Sequence, residues 1–178
     1  MSRRQSLLTW LIVIVIGAAA GQAFKEWLAS VTSSPPQSGE IIAGRARVID
    51  GDSIEIGSRR IRLFGIDAPE GQQDCRDAAG RDYACGSEAR RALSDAIGGR
   101  EVSCAATGAT TFDRAVALCR VDGRDLSDAM VRSGHALELR QHSRGQYTAA
   151  EREARDSRRG LWAGSFERPA QWRKEHPR

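Results

Sequence analysis

Two short stretches of this chain carry residue types that could do chemistry together: Val48-Ile-Asp-Gly-Asp-Ser53 and Arg62-Leu-Phe-Gly-Ile-Asp-Ala-Pro-Glu70. Between them they gather Asp50, Asp52, Asp67 and Glu70 around Arg62. Clustered carboxylates are costly without a counter-ion, because each charge disfavours ionisation of the next. A hard divalent cation offsets that cost, since carboxylate and carbonyl oxygens suit Ca2+ or Mg2+. Asp52 and Asp67 are the natural ligands, with the Ala68 main-chain carbonyl as a third oxygen. Glu70, held by Pro69, is then suited to polarise a nearby water as general base. Arg62, with a second Arg from elsewhere, would neutralise a phosphate whose charge grows during attack. Either fragment alone reads as a turn or a strand end. Only the pair, joined by a hairpin, points to a site.

The elements that must position these groups follow from periodicity. Alternation in Ala43–Ile49, Ser53–Ile56 and Arg60–Ile66 predicts three strands, jointed at Asp50-Gly51 and at Gly57-Ser58. Gly57-Ser58 is a two-residue hairpin turn of the type with Gly first. Ile61 and Leu63 share one face, which leaves Arg62 and Phe64 on the other. Residues 71–86 form a Gly-, Asp- and Cys-rich loop. Ala89, Ala92, Leu93, Ala96 and Ile97 recur at helical spacing, and Gly98-Gly99 ends that helix. Glu101–Ala105 and Arg114–Val121 predict two further strands. Leu126, Ala129 and Met130 mark a second helix, with Asp125 as N-cap and Gly134 as its stop. Thr148-Ala-Ala-Glu151 is a capping box opening a third helix, closed by Arg158, Arg159 and Gly160. Five strands and three helices give an α+β chain, mainly β, as a small, partly open barrel with helical supports.

The combined signature V-I-D-G-D-S…R-L-F-G-I-D-A-P-E resembles that of the thermonuclease family, the staphylococcal-nuclease-like domains. The resemblance continues through Arg114-Ala-Val-Ala-Leu-Cys119, Leu126-Ser-Asp-Ala-Met-Val-Arg-Ser-Gly134 and Gly160-Leu-Trp-Ala-Gly164, covering about residues 43–172. It implies an OB-fold five-stranded barrel with three helices, and a Ca2+-dependent nuclease cutting phosphodiester bonds of DNA and RNA. Water would attack phosphorus and the 5′-oxygen would leave, giving 3′-phosphate ends. Carried across residue by residue, Asp52 and Asp67 match the calcium carboxylates, and Ala68 stands where a carbonyl ligand usually comes from Thr. Glu70 matches the general base, Arg62 and Arg114 the two phosphate-binding arginines, and Asp50 an acidic residue of the outer metal environment.

Departures from the family pattern bear on the substrate. Phe112-Asp113-Arg114 replaces the usual Tyr-Gly-Arg, so Asp113 adds negative charge beside Arg114 while Phe112 keeps an aromatic face for base stacking. Leu139 and His142 occupy positions where relatives often carry stacking tyrosines. Trp162 and Trp172 could also stack on nucleic acid, though the resemblance favours packing against the barrel.

The first residues add an address. Arg3 and Arg4 precede the apolar run Leu7–Ala20, which reads as a signal peptide or, extended to Phe24, as a membrane anchor. The division is then 1–24 signal or anchor, 25–40 flexible linker and 41–178 barrel domain. Export to the periplasm or beyond, or tethering through residues 7–24, is expected, with the domain a monomer. Four cysteines, an even number in an exported domain, allow three pairings. Cys75–Cys85 and Cys104–Cys119 each close a short loop and are favoured over a zinc site, which lacks its paired C-x-x-C spacing. Basic residues outnumber acidic ones by 27 to 23, and the excess lies in the tail beyond residue 140. That balance describes a body with a local carboxylate cluster rather than a general polyanion sponge. The competing class is a non-catalytic envelope OB-fold module binding nucleic acid, glycan or protein. A structural envelope protein holding calcium only for stability is a third reading.

Overall fold

The computed structural model describes residues 38–177, so the expected signal or anchor and most of the linker lie outside the described residues. Strand β1 (Ile41–Asp50) is long enough to serve two neighbours. Its first half, Ile41–Arg45, pairs antiparallel with β7 (Glu101–Thr111), and its second half, Ala46–Asp50, with β2 (Ser53–Ile56). The Gly57-Ser58 turn returns the chain from β2 into β3 (Arg59–Leu63), with Ile56 opposite Arg59 as the two-residue loop requires. β7 turns back into β8 (Arg114–Val121), and β8 closes the sheet by pairing parallel with β3, Ile61 opposite Ala115 and Leu63 opposite Ala117. The result is a five-stranded barrel in the order β3-β2-β1-β7-β8, which the β3–β8 pairing closes fully where a partly open one was expected.

Period-two alternation places the core. Along β8, Ala115, Ala117, Cys119 and Val121 point inward, meeting Ile54, Ile61, Leu63 and Val102, all essentially without solvent exposure. Each fully buried aliphatic chain contributes about 1.5–3 kcal/mol. Helix α1 (Cys85–Ile97) lays Ala89, Leu93 and Ile97 against this core and stops at Gly98, which is left-handed. Helix α2 (Leu126–Arg132) is capped as expected, the Asp125 carboxylate accepting from the Ser127 and Asp128 amides.

Three expectations need correction. The third strand does not run to Ile66. It ends at Leu63, the chain turns at Phe64-Gly65, and Ile66–Asp67 forms a separate short strand, β4, paired with Leu137–Glu138. Across the break Asp67 still reaches Arg62, 2.8 Å from its Nη2. The Thr148–Glu151 capping box does not form at helix Thr148–Asp156. The Thr148 hydroxyl instead donates to Glu138 and the Glu151 carboxylate accepts from the Glu138 amide, because buried Glu138 has a greater need of partners. Finally, the helices number more than three. A one-turn helix covers Arg140–Ser143, and a last helix, here called the C-terminal helix, runs from Pro169 to Glu175.

Both expected disulfides, Cys75–Cys85 and Cys104–Cys119, are present. Cys75–Cys85 fixes the 71–84 loop, with its short paired strands β5 (Cys75–Arg76) and β6 (Asp82–Tyr83), to the first turn of α1, within a second apolar cluster of Leu137, Leu161, Tyr83, Trp162 and Phe166. Trp162 thus packs, edge-on to Phe166 and beneath the Arg155 guanidinium. Trp172, half-buried on the C-terminal helix, stacks on His176 just past that helix, with ring centroids 4.3 Å apart.

Candidate active site

The site is built where strand ends converge. Asp52 follows Gly51 in the β1–β2 turn, and Gly51 is there because nothing larger fits: a Cβ would lie 2.7 Å from the Cβ atoms of both Ala68 and Ala89. This close approach brings the Asp52 turn against the Asp67-Ala68 strand end, so that Asp52 Oδ2 lies 3.5 Å from the Ala68 amide. Asp52 and Asp67 are both buried. One guanidinium nitrogen bridges them: Arg62 Nη2 is 2.7 Å from Asp52 Oδ2 and 2.8 Å from Asp67 Oδ1. The Asp52 amide donates to Asp50 Oδ1 at 3.1 Å, which sets Asp50 beside the pair rather than within it.

Arg114 joins the cluster through Ser53. Its Nη1 donates to the Ser53 hydroxyl at 2.8 Å, and that hydroxyl donates to Asp52 Oδ1 at 2.8 Å. Arg62 and Arg114, on adjacent barrel strands, therefore reach opposite oxygens of one carboxylate. The two residues of the β7–β8 turn, Phe112 and Asp113, both have positive φ, and Phe112 is 88 % exposed at the tip. Its ring does no packing work and is open to solvent. Leu139 and His142 lie on the segment bordering the Phe64-Gly65 turn, the Leu139 amide donating to the Gly65 carbonyl at 2.8 Å. Neither makes a polar side-chain link into the carboxylate cluster among the bonds described.

Glu70 is held through its backbone. Its amide donates to Gln73 Oε1 at 3.2 Å, its carbonyl accepts from the Gln73 amide, and the fully buried Gln73 side chain donates onward to the Glu167 carbonyl at 2.7 Å. Gly86 at the start of α1 allows this loop to sit so close, since a Cβ there would fall 1.8 Å from the Glu70 carbonyl oxygen.

Sequence reasoning missed one functional-site residue, Arg173. From the C-terminal helix its Nη1 donates to Asp67 Oδ1 at 3.0 Å and to Glu70 Oε1 at 2.9 Å, and its Nη2 to Asp67 Oδ2 at 3.1 Å. More than a hundred residues separate it from Asp67, so no local spacing could announce it. Pro169, a favoured first residue of a helix, was the only signal that this segment is helical.

The electrostatics call for positive charge. Burial pushes the Asp52 carboxyl up to about 7; Arg62 and the Ser53 hydroxyl oppose this, and Asp50 and Asp67 add to it. Partial burial acts against the Arg173 charge, yet the hydrogen bonds to Asp67 and Glu70 hold its pKa above that of an ordinary guanidinium. Asp52 and Asp67 are two buried carboxylates whose oxygens already accept from Arg62, Arg173 and the Ser53 hydroxyl, and with the Ala68 carbonyl they are hard oxygens of the kind Ca2+ takes, so the residues fit that ion.

A small closed OB-type barrel with carboxylates and arginines gathered at its strand ends defines a class of phosphate-directed proteins. Comparison with known proteins narrows the class. The family described as staphylococcal nuclease homologue matches residues 60–164, more than half of the chain, and takes in Arg62, Asp67, Glu70 and Arg114. The chain belongs to the staphylococcal nuclease family. It is 38 % identical over 125 residues to the succinoglycan biosynthesis protein ExoI of Rhizobium meliloti (strain 1021), covering 69 % of this chain and 65 % of that one. A probable staphylococcal-like nuclease of rice, CAN2, is 33 % identical over 70 % of this chain and 32 % of its own. An uncharacterized endonuclease of Haemophilus influenzae is 28 % identical over 72 % of this chain and 71 % of its own. The chain thus spans less than two thirds of the length of the first two relatives.

Proposed function

We propose that this protein is an exported Ca2+-dependent nuclease that hydrolyses phosphodiester bonds of DNA and RNA and leaves 3′-phosphate ends. The observation that carries the reading is the single hydrogen-bonded cluster in which Arg62 bridges Asp52 and Asp67, with Arg114 and Glu70 one link away. Asp52, Asp67 and the Ala68 carbonyl would hold the ion, which when bound supplies a Lewis acid on the phosphate and charge to offset the carboxylates. Glu70 accepts a proton from the attacking water. Arg62 would turn its donors from Asp52 and Asp67, and Arg114 from the Ser53 hydroxyl, to the non-bridging oxygens, where negative charge builds as the new P–O bond forms. The bond to the 5′-oxygen breaks, that oxygen is protonated from solvent, and the phosphate stays on the 3′ side. Phe112, exposed at the hairpin tip beside Arg114, offers a ring on which a base stacks.

Export is supported by the Arg-led apolar run at Leu7–Ala20 and by two disulfides, which suit an oxidising compartment. Whether residues 7–24 are cleaved or kept as an anchor is read by the mass of the mature protein recovered from cells. Product chemistry tests the reaction: a digested oligonucleotide should carry 5′-hydroxyl and 3′-phosphate ends by mass spectrometry. Ends of the opposite kind would overturn the assignment of the leaving oxygen.

A further inference from the structure

Arg173 stands outside the matched residues 60–164 and yet, among the described residues, makes more hydrogen bonds to the acidic cluster than any other cation. It grips Asp67 with both terminal nitrogens and Glu70 with one of them. Asp67 Oδ1 also accepts from Arg62, so both Asp67 oxygens are already engaged by guanidinium donors. Three carboxylates, Asp52, Asp67 and Glu70, meet Arg62 and Arg173 directly and Arg114 through the Ser53 hydroxyl, close to local neutrality. A Ca2+ entering among the same oxygens adds two positive charges and needs lone pairs that Arg173 holds. Arg62 is tied to a barrel strand and its side chain is only 16 % exposed, whereas that of Arg173 is 38 % exposed on a seven-residue terminal helix. Arg173 is the group with somewhere to go.

We propose that Arg173 is a built-in counter-ion that positions Asp67 and Glu70 in the metal-free protein and competes with the metal ion for them. The C-terminal helix carries it in, tethered at its base by the bond from Gln73 to the Glu167 carbonyl. Metal entry then requires the Arg173 fork to release Asp67, which also breaks its bond to Glu70 because one nitrogen serves both. The protein meets its ion with the site already folded, and the affinity for that ion is set below what Asp52 and Asp67 alone would give. This rests on the metal reading of the site given above.

The test is calcium binding to the full chain by isothermal titration calorimetry, with no nucleic acid present. Arg173→Gln should bind Ca2+ about tenfold more tightly than the unaltered protein, since the competing charged hydrogen bonds are lost. Arg173→Lys, which keeps the charge without the fork, should fall between the two. Lys174→Gln, the same charge change one residue along the helix, should stay within about twofold. In chelator Arg173→Gln should melt below the unaltered protein, and saturating Ca2+ should remove the difference. Equal or weaker Ca2+ binding by Arg173→Gln would overturn the proposal and make Arg173 part of the loaded site. If the unaltered protein bound no Ca2+ at all, the metal reading itself would fall, and the two failures are thus told apart.

Discussion

Replacing Gly86 by Ala is a perturbation whose size can be worked from the structure. The new methyl would sit 1.8 Å from the Glu70 carbonyl oxygen, 2.7 Å from its carbon and 3.0 Å from the Gly71 carbon. These are backbone atoms, so no side-chain rotation relieves the clash. Ordinary contact lies near 3.5 Å, which demands a displacement of roughly 1.5 Å between α1 and the Glu70 loop. Overpacking of this kind costs about 1–3 kcal/mol, partly offset by the better helix propensity of Ala, which is worth up to about 1 kcal/mol. The net effect is a fall in melting temperature of a few degrees for a chain of this length. Activity should suffer more, because a 1 Å misplacement of a catalytic group costs on the order of a hundredfold in rate. Thermal melting and single-turnover cleavage of a labelled oligonucleotide measure the two effects separately. Gly71→Ala is the control, since a Cβ there meets nothing within 4 Å. If Gly86→Ala matched the unaltered protein in both stability and rate, the close packing of α1 on the Glu70 loop would not be what positions Glu70.

Three further outcomes are expected. Phe112→Ala should leave the melting temperature unchanged, since the ring is exposed, but weaken single-stranded DNA binding by about 1–3 kcal/mol in a fluorescence-polarisation titration. Burial opposes ionisation of Glu138, but the Ser143 and Thr148 hydroxyls, the Tyr147 amide and Arg140 together hold its carboxyl below the ordinary 4.5. A depressed folded value stabilises above the unfolded pKa and loses that stability as pH falls through the folded one. Glu138→Gln should therefore cost about 1–3 kcal/mol at neutral pH, with the gap to the unaltered protein closing as urea melts are taken below pH 4.5. Changing Cys75 and Cys85 to Ala together should cost about 2–4 kcal/mol in urea unfolding and loosen the loop that follows Glu70.

The barrel was legible because its strands alternate strictly and its turns carry Gly and Asp where the backbone needs them. The site was legible as far as it is local: Asp52, Arg62, Asp67 and Glu70 fall within nineteen residues, and a single hairpin brings them together. What depends on distant packing was not. Arg60–Ile66 is expected as one strand, yet the strand ends at Leu63 and Ile66–Asp67 finds a partner in Leu137–Glu138. Thr148 and Glu151 match a capping box, but a buried Glu138 claims both side chains. Gly51 and Gly86 look like any loop glycines until the atoms that press against them are known. Arg173 looks like one more charge in an Arg-rich tail, and only the fold reveals that it reaches Asp67 and Glu70.

Calcium-dependent hydrolysis of nucleic acid at the Asp52–Asp67–Glu70 cluster is the function proposed for this protein. The most direct measurement is digestion of denatured DNA by the full chain with its disulfides formed, in Ca2+ and in excess chelator, beside Glu70→Gln. The account predicts cleavage in Ca2+ only, falling by about 10²–10⁴-fold in Glu70→Gln. Absence of cleavage by a folded, Ca2+-binding sample would contradict it and favour a non-catalytic barrel that binds without cutting.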